Sequence, residues 1–256
     1  MFAARAFFSI MGLTDPMQHR TYNEYHQLDH RPENLLLPGV AWGDRWVRSP
    51  DCAAVSTGSD RDFDDVHYAT MYFLRAPLAE NTREWIDLGE HGYQWGRRPD
   101  LAWRKNHFQN FLRPVKGYAA PRVLVQPDAV PFRPVRGVHL TLSNFAAKGT
   151  ETQDIFAWYD RVRIPDLLAC PGVAGAWTFV SENAYAAPAD TGLNMTRITL
   201  LYLDADPLQV IDAIRALERT WRAAGRLRDT SSVEDVRFVS PFRTIVPWEW
   251  DWFDRA

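Results

Sequence analysis

The sequence predicts an α+β fold in which one β-α-β-β-α-β unit occurs twice along 256 residues and the two copies pack sheet to sheet. The first observation behind this prediction is an internal repeat. The segment HRPENLLLPGV at 30–40 is matched by RIPDLLACPGV at 163–173, and the shared prolines, glycine and valine are all 133 positions apart. A fixed spacing of this kind indicates duplication of a structural unit. The second observation is that strand and helix patterns follow in the same order in both halves.

Alternating apolar residues and helix-capping residues define the elements of the first half. Its first helix begins at Asp15-Pro16, an N-cap followed by a proline that suits the first helical position. The helix ends at Pro38-Gly39, a pair typical of helix termination. The predicted elements in order are a strand at 5–13, this helix, strands at 40–47 and 66–75, a helix at 77–89 and a strand near 121–126.

The second half repeats this order. The predicted strands are 137–144, 173–180, 196–204 and 238–246, and the predicted helices are 152–169 and 207–224. Each unit is therefore ferredoxin-like, and we place the two halves at 1–130 and 131–256. Such a unit has one sheet face covered by helices and one bare face. Two bare faces in one chain would bury each other, as in a homodimer of single units.

Two segments fall outside the repeat. The spacing between matching residues shrinks to 120 toward the end of each half, which predicts an insert in the first half at about 89–118. The surrounding segment 94–136 carries nine basic residues, two acidic residues and interleaved aromatics. We expect a lid over a cavity, with a nucleic-acid surface as the alternative. The C-terminal WEWDWF reads as an edge strand or a tail that grips the other half, or as a partner surface.

Composition narrows the range of functions. The net charge of −3 gives no field that favours nucleic acid, so no nucleic-acid partner is expected. No apolar run reaches the roughly 20 residues of a membrane span, and the N-terminal segment reads as a strand and not as a signal peptide. Two cysteines, Cys52 and Cys170, suggest neither a disulfide scaffold nor a metal site. A cytoplasmic protein without a membrane partner is the expectation.

The segment AWYDRVRIPDLLACPGV at 157–173 resembles the dimeric α/β barrel superfamily, particularly its EthD-like branch. The first helix of that branch often reads W-Y-x-x-H-x-P-x-L-x-x-x-P-G. Arg163 stands where the branch usually has histidine, and the first half keeps that histidine as His30. The resemblance implies a cavity for a small hydrophobic or aromatic molecule. Relatives include cofactor-free monooxygenases, isomerases, cyclases, decarboxylases and haem enzymes. The matching positions are Trp158, Tyr159, Pro165, Leu167, Pro171 and Gly172.

Strand alternation indicates where a site lies. We expect the apolar faces, such as Val138, Leu140 and Leu142, to meet the helices and the opposite faces to enter a cavity between the sheets. The predicted cavity residues of the second half are His139, Thr141, Ser143, Arg197, Thr199 and Leu201, and those of the first half are Ala6, Phe8, Ile10, His67, Ala69 and Met71.

Within this cavity His30 is the predicted general acid or base, with Asp29 orienting it. His139, His67 and Arg197 would position or polarise the substrate, aided by Thr141 and Ser143. Trp42 and Arg45 would line the mouth. Each residue also has a structural interpretation. His30 can cap helix carbonyls, the barrel histidines can be satisfied internally, Arg197 can form an internal ion pair, and Trp42 can pack in the core.

The leading functional hypothesis is a small-molecule enzyme that works by histidine-assisted proton transfer, as a lyase, isomerase, cyclase or cofactor-free oxygenase. No cofactor is expected. A non-catalytic carrier is the first alternative, and a haem-binding barrel enzyme using His67, His107 or His139 is the second. A metal site is not expected, because His26, His30 and Glu33 have ligand spacing without further ligands. A homodimer is compatible with the sequence.

Overall fold

The computed structural model describes residues 2–99, 101–146, 149–181, 195–246 and 248–254. Its strands are β1 (Arg5–Leu13), β2 (Val40–Val47), β3 (Tyr68–Leu74), β4 (Arg104–Ala119), β5 (Gly137–Phe145), β6 (Val173–Ser181), β7 (Met195–Leu203) and β8 (Glu234–Thr244). Its α-helices are α1 (His19–Tyr25), α2 (Arg31–Leu36), α3 (Pro50–Ala54), α4 (Leu78–Gln94), α5 (Thr150–Trp158), α6 (Ile164–Leu168) and α7 (Pro207–Ala223). Alternating apolar residues form the strands, and Asp206 caps α7 by accepting from two backbone amides of its first turn.

The strands form one closed antiparallel barrel made of two ferredoxin-like sheets. The first half has the order β4-β1-β3-β2 and the second half the matching order β8-β5-β7-β6. Pairing of β2 with β8 and of β4 with β6 joins the two sheets along their edges. The predicted α+β fold of two tandem units is confirmed. The proposed boundary at residue 130 lies in a short 3₁₀ helix, Pro127–Phe132, between β4 and β5.

The predicted insert at about 89–118 is wrong, because its second half, residues 104–118, belongs to the barrel strand β4. This strand pairs with β1 on one side and β6 on the other. The predicted strand near 121–126 is instead a 3₁₀ helix at Pro121–Val123 followed by loop. A lid role for the segment is therefore also wrong. The basic residues of the segment fall largely on exposed positions of β4 and its flanks, for which solvation is the simple explanation.

The barrel interior is a packed apolar core, which corrects the predicted cavity between the sheets. Val138, Leu140 and Leu142 are fully buried there, together with Ile198 and Leu200. These strands therefore face the opposite way from the prediction, and their polar faces lie under the helices. The closed interior excludes water on all sides, so the apolar face gains most by turning inward. The first-half residues Ala6, Phe8, Ile10, Ala69 and Met71 do face the interior, as core and not as cavity lining.

The first helical region of each half contains a π-helical turn at the same place. The two turns, His26–His30 and Tyr159–Arg163, are 133 residues apart, as are the repeated prolines. The duplication therefore extends to a backbone irregularity. Single π turns inside α-helices occur frequently at functional sites, and both of these turns lie over the polar outer face of a sheet.

The C-terminal tail packs on the first half. Trp250 is 8% exposed and lies in an apolar cluster with Met11, Tyr22 and Tyr68. This agrees with the expectation of a tail that grips the other half. Among the described residues, no helix is long and apolar enough to cross a membrane.

Candidate functional site

Each half has a cavity between the outer face of its sheet and its helices. The cavity of the second half has a volume of about 380 Å³ and that of the first half about 270 Å³. The strand register shows that the two cavities lie at corresponding places. Phe7 and Tyr72 pair in the first half, and the residues at the same positions of the second half, His139 and Leu201, pair there. The two cavities are thus corresponding places in a duplicated fold, with different side chains.

Polar side chains from two adjacent strands form the floor of the second-half cavity. Strand β5 contributes His139, Thr141 and Ser143, and β7 contributes Arg197 and Thr199. The π turn and α7 cover this floor with both charged and apolar groups. The lining from these helices and β8 includes Tyr159, Arg163, Ile164, Ile211, Ile214, Arg215, Glu218, Glu234 and Val239.

His139 presents a neutral imidazole to this cavity. Burial, with the nearby charges of Arg163 and Arg215, lowers its pKa to about 4. Its ring makes no hydrogen bond to any other residue within the described ranges. A neutral imidazole with a free nitrogen can ligate a metal or accept a proton.

Arg197 brings a buried positive charge to the same floor. Its side chain lies against aromatic rings, with the guanidinium carbon 4.5 Å from the ring centre of Tyr159 and 4.9 Å from that of Phe156. The residue is 6% exposed and its Nη1 has no hydrogen-bond partner. It forms no ion pair with any described residue, so the internal ion pair considered from the sequence is not formed there. A buried guanidinium with a free donor favours an anionic ligand.

Four further side chains of this cavity, which form two pairs, were not predicted as site residues. Arg163 forms an ion pair with Glu218, and its Nη1 lacks a partner. Tyr159 donates a hydrogen bond to Glu234 over 2.8 Å. Burial, reinforced by the charge of Glu234, raises the pKa of Tyr159, so the phenol keeps its proton. The repeat itself carried a signal, because it aligns Arg163 with His30.

His30 lies in the other cavity, that of the first half, with His26 and Asn34. Burial and the charge of Arg98 lower its pKa to about 4. Asn34 Nδ2 lies 3.2 Å from His30 Nε2. Asp29 does not orient this ring, because its carboxylate turns outward and pairs with Arg97.

The remaining predicted residues lie in neither cavity. His67 Nδ1 accepts from the backbone amide of Leu13 over 3.0 Å, at one end of the barrel. Trp42 packs beside the interior core, 5.2 Å from the ring of Phe132. Arg45 is fully buried, and its Nη1 donates to Asn23 Oδ1 over 3.0 Å.

The predicted single site is therefore not formed. The structure brings together His139, Thr141, Ser143 and Arg197, and it separates them from His30 and His67. The reason is the reversed strand orientation, since polar faces that turn outward meet different helices in the two halves. Among the described residues, no group of three or more histidine, cysteine or acidic side chains is arranged to hold a metal ion.

No family model matches the sequence, and no curated protein is significantly similar to it. Solved structures are similar in fold over nearly the whole chain. A dye-decolorizing peroxidase from Bacteroides thetaiotaomicron has a TM-score of 0.54 at 7% identity, covering 95% of this chain and 94% of that one. An anthrone oxidase-like protein has a TM-score of 0.53 at 10% identity, covering 95% and 92%. A DypB variant from Rhodococcus jostii in complex with heme has a TM-score of 0.53 at 10% identity, covering 94% and 93%.

These similarities, with the strand order, give the protein the fold of the dimeric α/β barrel superfamily, with both halves in one chain. Membership of the EthD-like branch stays a prediction. The expectation of a protein without a cofactor is corrected, because proteins of this fold include a DypB variant solved in complex with heme. The cavity of the second half also holds the neutral imidazole of His139.

Proposed function

We propose that the protein is an oxidative enzyme that holds haem in the cavity of its second half, with His139 as the iron ligand, and acts on a small hydrophobic or aromatic molecule. The observation that carries this proposal is the imidazole of His139, which lines the cavity, is neutral and makes no hydrogen bond to another residue of the described ranges. The peroxidase and the heme complex among the similar structures support the same class of chemistry.

The residues present fit such a group. Haem iron is commonly held by a histidine, and a histidine ligand must be unprotonated. The free Nη1 donors of Arg163 and Arg197 suit the carboxylates of a haem propionate or of an acidic substrate. Leu201, Ile214 and Val239 supply apolar walls. When bound, haem supplies one-electron and O₂ chemistry.

The chain's own residues would bind and orient the reactants. Arg197 would donate to a carboxylate or phenolate at the cavity floor, held in place by the rings of Phe156 and Tyr159. Tyr159 would keep its proton on the bond to Glu234. The hydroxyls of Thr141 and Ser143 would hydrogen-bond polar atoms of the bound molecule. Each role rests on a side chain already fixed by packing, which reduces the entropic cost of binding.

Titration of purified protein with hemin tests the proposal. We expect a Soret band that saturates at one hemin per chain. The His139→Ala variant should lose this band, while the matched control His30→Ala, in the corresponding cavity, should keep it. Absence of a saturable band in the wild-type protein, or an unchanged band in His139→Ala, would overturn the proposal. Thermal unfolding followed by circular dichroism establishes that both variants are folded.

Proton transfer by His30, as in a lyase or isomerase, is a second candidate. One observation favours it: this imidazole lines a cavity and is unprotonated at neutral pH. A pKa of about 4 makes it a weak base, since an efficient general base has a pKa near the working pH. Loss of turnover of an identified substrate in His30→Ala, with hemin binding intact, would support this candidate. Saturable binding of aromatics without conversion would instead indicate a carrier.

A further inference from the structure

The lining of the first-half cavity carries more positive than negative charge, with two arginines and one glutamate. Arg98 and Arg104 line the cavity, and neither forms an ion pair with a residue in the described part of the chain. Burial, with the charge of Arg98, lowers the pKa of Arg104. Glu90 is the acidic residue in the lining, and it is exposed on α4. Two neighbouring guanidiniums in a concave site attract an anion.

Arg45 adds a third positive charge behind the wall. Its guanidinium carbon lies 5.0 Å from the ring centre of Tyr22, a residue of the cavity lining. The residue is fully buried, and its Nε and Nη2 have no hydrogen-bond partner. Burial of a charge is costly unless it is paired, so an anion in the adjacent cavity would offset part of this cost.

Two residues of the same lining, His26 and Trp85, carry buried polar atoms without a hydrogen-bond partner. His26 is 8% exposed, lines the cavity, and has an Nδ1 atom without a hydrogen-bond partner. The Nε1 of Trp85, which can only donate, is also buried without a partner. Buried donors normally have acceptors. A bound anion would provide acceptor atoms for these groups and for the two arginines.

The rest of the lining indicates the chemistry and size of the uncharged part of the ligand. Phe7, Tyr22, Trp85 and Ile86 provide flat and apolar surface. The volume of about 270 Å³ lies just below the range of about 300–1,000 Å³ typical of drug-sized ligands, which favours a single ring. We propose that the first-half cavity binds a small aromatic carboxylate of about the size of benzoate. The carboxylate would lie toward Arg98 and Arg104, and the ring against Trp85.

This site is independent of haem in the second half. Phe7 occupies the position that corresponds to His139, and Tyr68 the position that corresponds to Arg197. The two cavities therefore offer different groups to a ligand. The first-half site can be present whether or not the second half holds haem.

Calorimetric titration with benzoate tests the inference on the full chain. We expect saturable binding to the wild-type protein, with affinity reduced about tenfold in Arg98→Gln and in Arg104→Gln, since each removes a charge-assisted hydrogen bond. The matched control Arg97→Gln removes a neighbouring arginine that pairs with Asp29 and Glu33 outside the cavity. It should leave the affinity unchanged. Arg98→Lys keeps the charge and should retain most of the binding.

The outcomes separate this inference from the haem proposal. The benzoate inference would be overturned if Arg98→Gln, Arg104→Gln and Arg97→Gln all bound benzoate equally well. It would also be overturned if Arg197→Gln alone lost all binding, because benzoate would then lie in the second half. Phosphate that binds with the same affinity and the same variant dependence would assign the site to inorganic anions and overturn the carboxylate class. Hemin binding in Arg98→Gln should equal that of the wild-type protein. Thermal unfolding checks that each variant is folded.

Discussion

His139 and Phe7 occupy corresponding positions on the first strands of the two halves, and only the histidine can ligate iron or exchange a proton. The sheets of the two halves therefore offer different chemistry to a ligand at corresponding positions. A second pair of corresponding positions differs in charge, since the second half has Arg197 where the first half has Tyr68. The second half offers an imidazole and a guanidinium from its sheet, whereas the first half receives its arginines from β4 and from the turn after α4.

The burial of His139 predicts a pH dependence of stability. The folded-state pKa of about 4 lies below the ordinary value of 6.5, so the unfolded chain binds the proton more readily. The stabilisation is therefore complete above about pH 6.5 and is lost as the pH falls toward 4. We expect the loss between pH 7 and pH 5 to be smaller in His139→Gln than in the wild-type protein, by about 1–2 kcal/mol. Urea unfolding at the two pH values measures it.

The matched control for this prediction is His91→Gln, at an exposed position on α4. Because its side chain is exposed, this variant measures what removal of a surface histidine does to stability at each pH. His19, His30 and His67, whose pKa values burial also lowers to about 4, act in the same direction and remain in both variants. An identical loss in His139→Gln and in the wild-type protein would show that His139 does not titrate as described.

At the scale of elements, strand β4 shows where sequence reasoning fails. Its sixteen residues include exposed positions on both faces of the strand. The strand also contains Pro114, and its register with β6 shifts next to this residue. An irregular strand of this kind has no clean period of two, so it read as an insert. The helices and the regular strands were predictable because capping residues and apolar alternation mark them locally. Which face of a strand turns inward depends on barrel closure, a non-local event, and it was predicted wrongly for β5 and β7.

A second prediction concerns the effect on stability of replacing two glycines, Gly43 on β2 and Gly89 on α4. A Cβ on Gly43 would lie 2.1 Å from the ring of Tyr72, so Gly43→Ala forces that ring or the strand to move. We expect a loss of stability of about 1–3 kcal/mol, typical of overpacking. A Cβ on Gly89, in α4, meets nothing within 4 Å, so Gly89→Ala should stabilise by about 0.5–1 kcal/mol through helix propensity. Urea unfolding gives both values, and changes of the same sign would contradict the prediction.

At the scale of the whole molecule, the two halves meet along seams of unequal extent. The second half of β4 pairs with most of β6, from Leu112 with Ser181 to Ala119 with Gly175. β2 and β8 pair at two positions, Trp46 with Thr244 and Val47 with Arg243. Side chains reinforce this short seam, because Arg243 binds Asp51 of the first half and Asp206 of the second. The C-terminal tail adds apolar contact at the same end of the barrel.

We therefore predict that the C-terminal tail stabilises the association of the two halves. Trp250 is 8% exposed and packs in the cluster that contains Met11, Val47 and Tyr68 of the first half. We expect Trp250→Ala to lower the free energy of unfolding by about 2–4 kcal/mol, since it removes a large buried aromatic side chain. Trp248, two residues away and 75% exposed, provides the matched control. Trp248→Ala should change stability by less than about 0.5 kcal/mol, as surface substitutions usually do. Urea unfolding of both variants measures the difference, and equal effects would mean that the tail does not contribute to closure of the barrel.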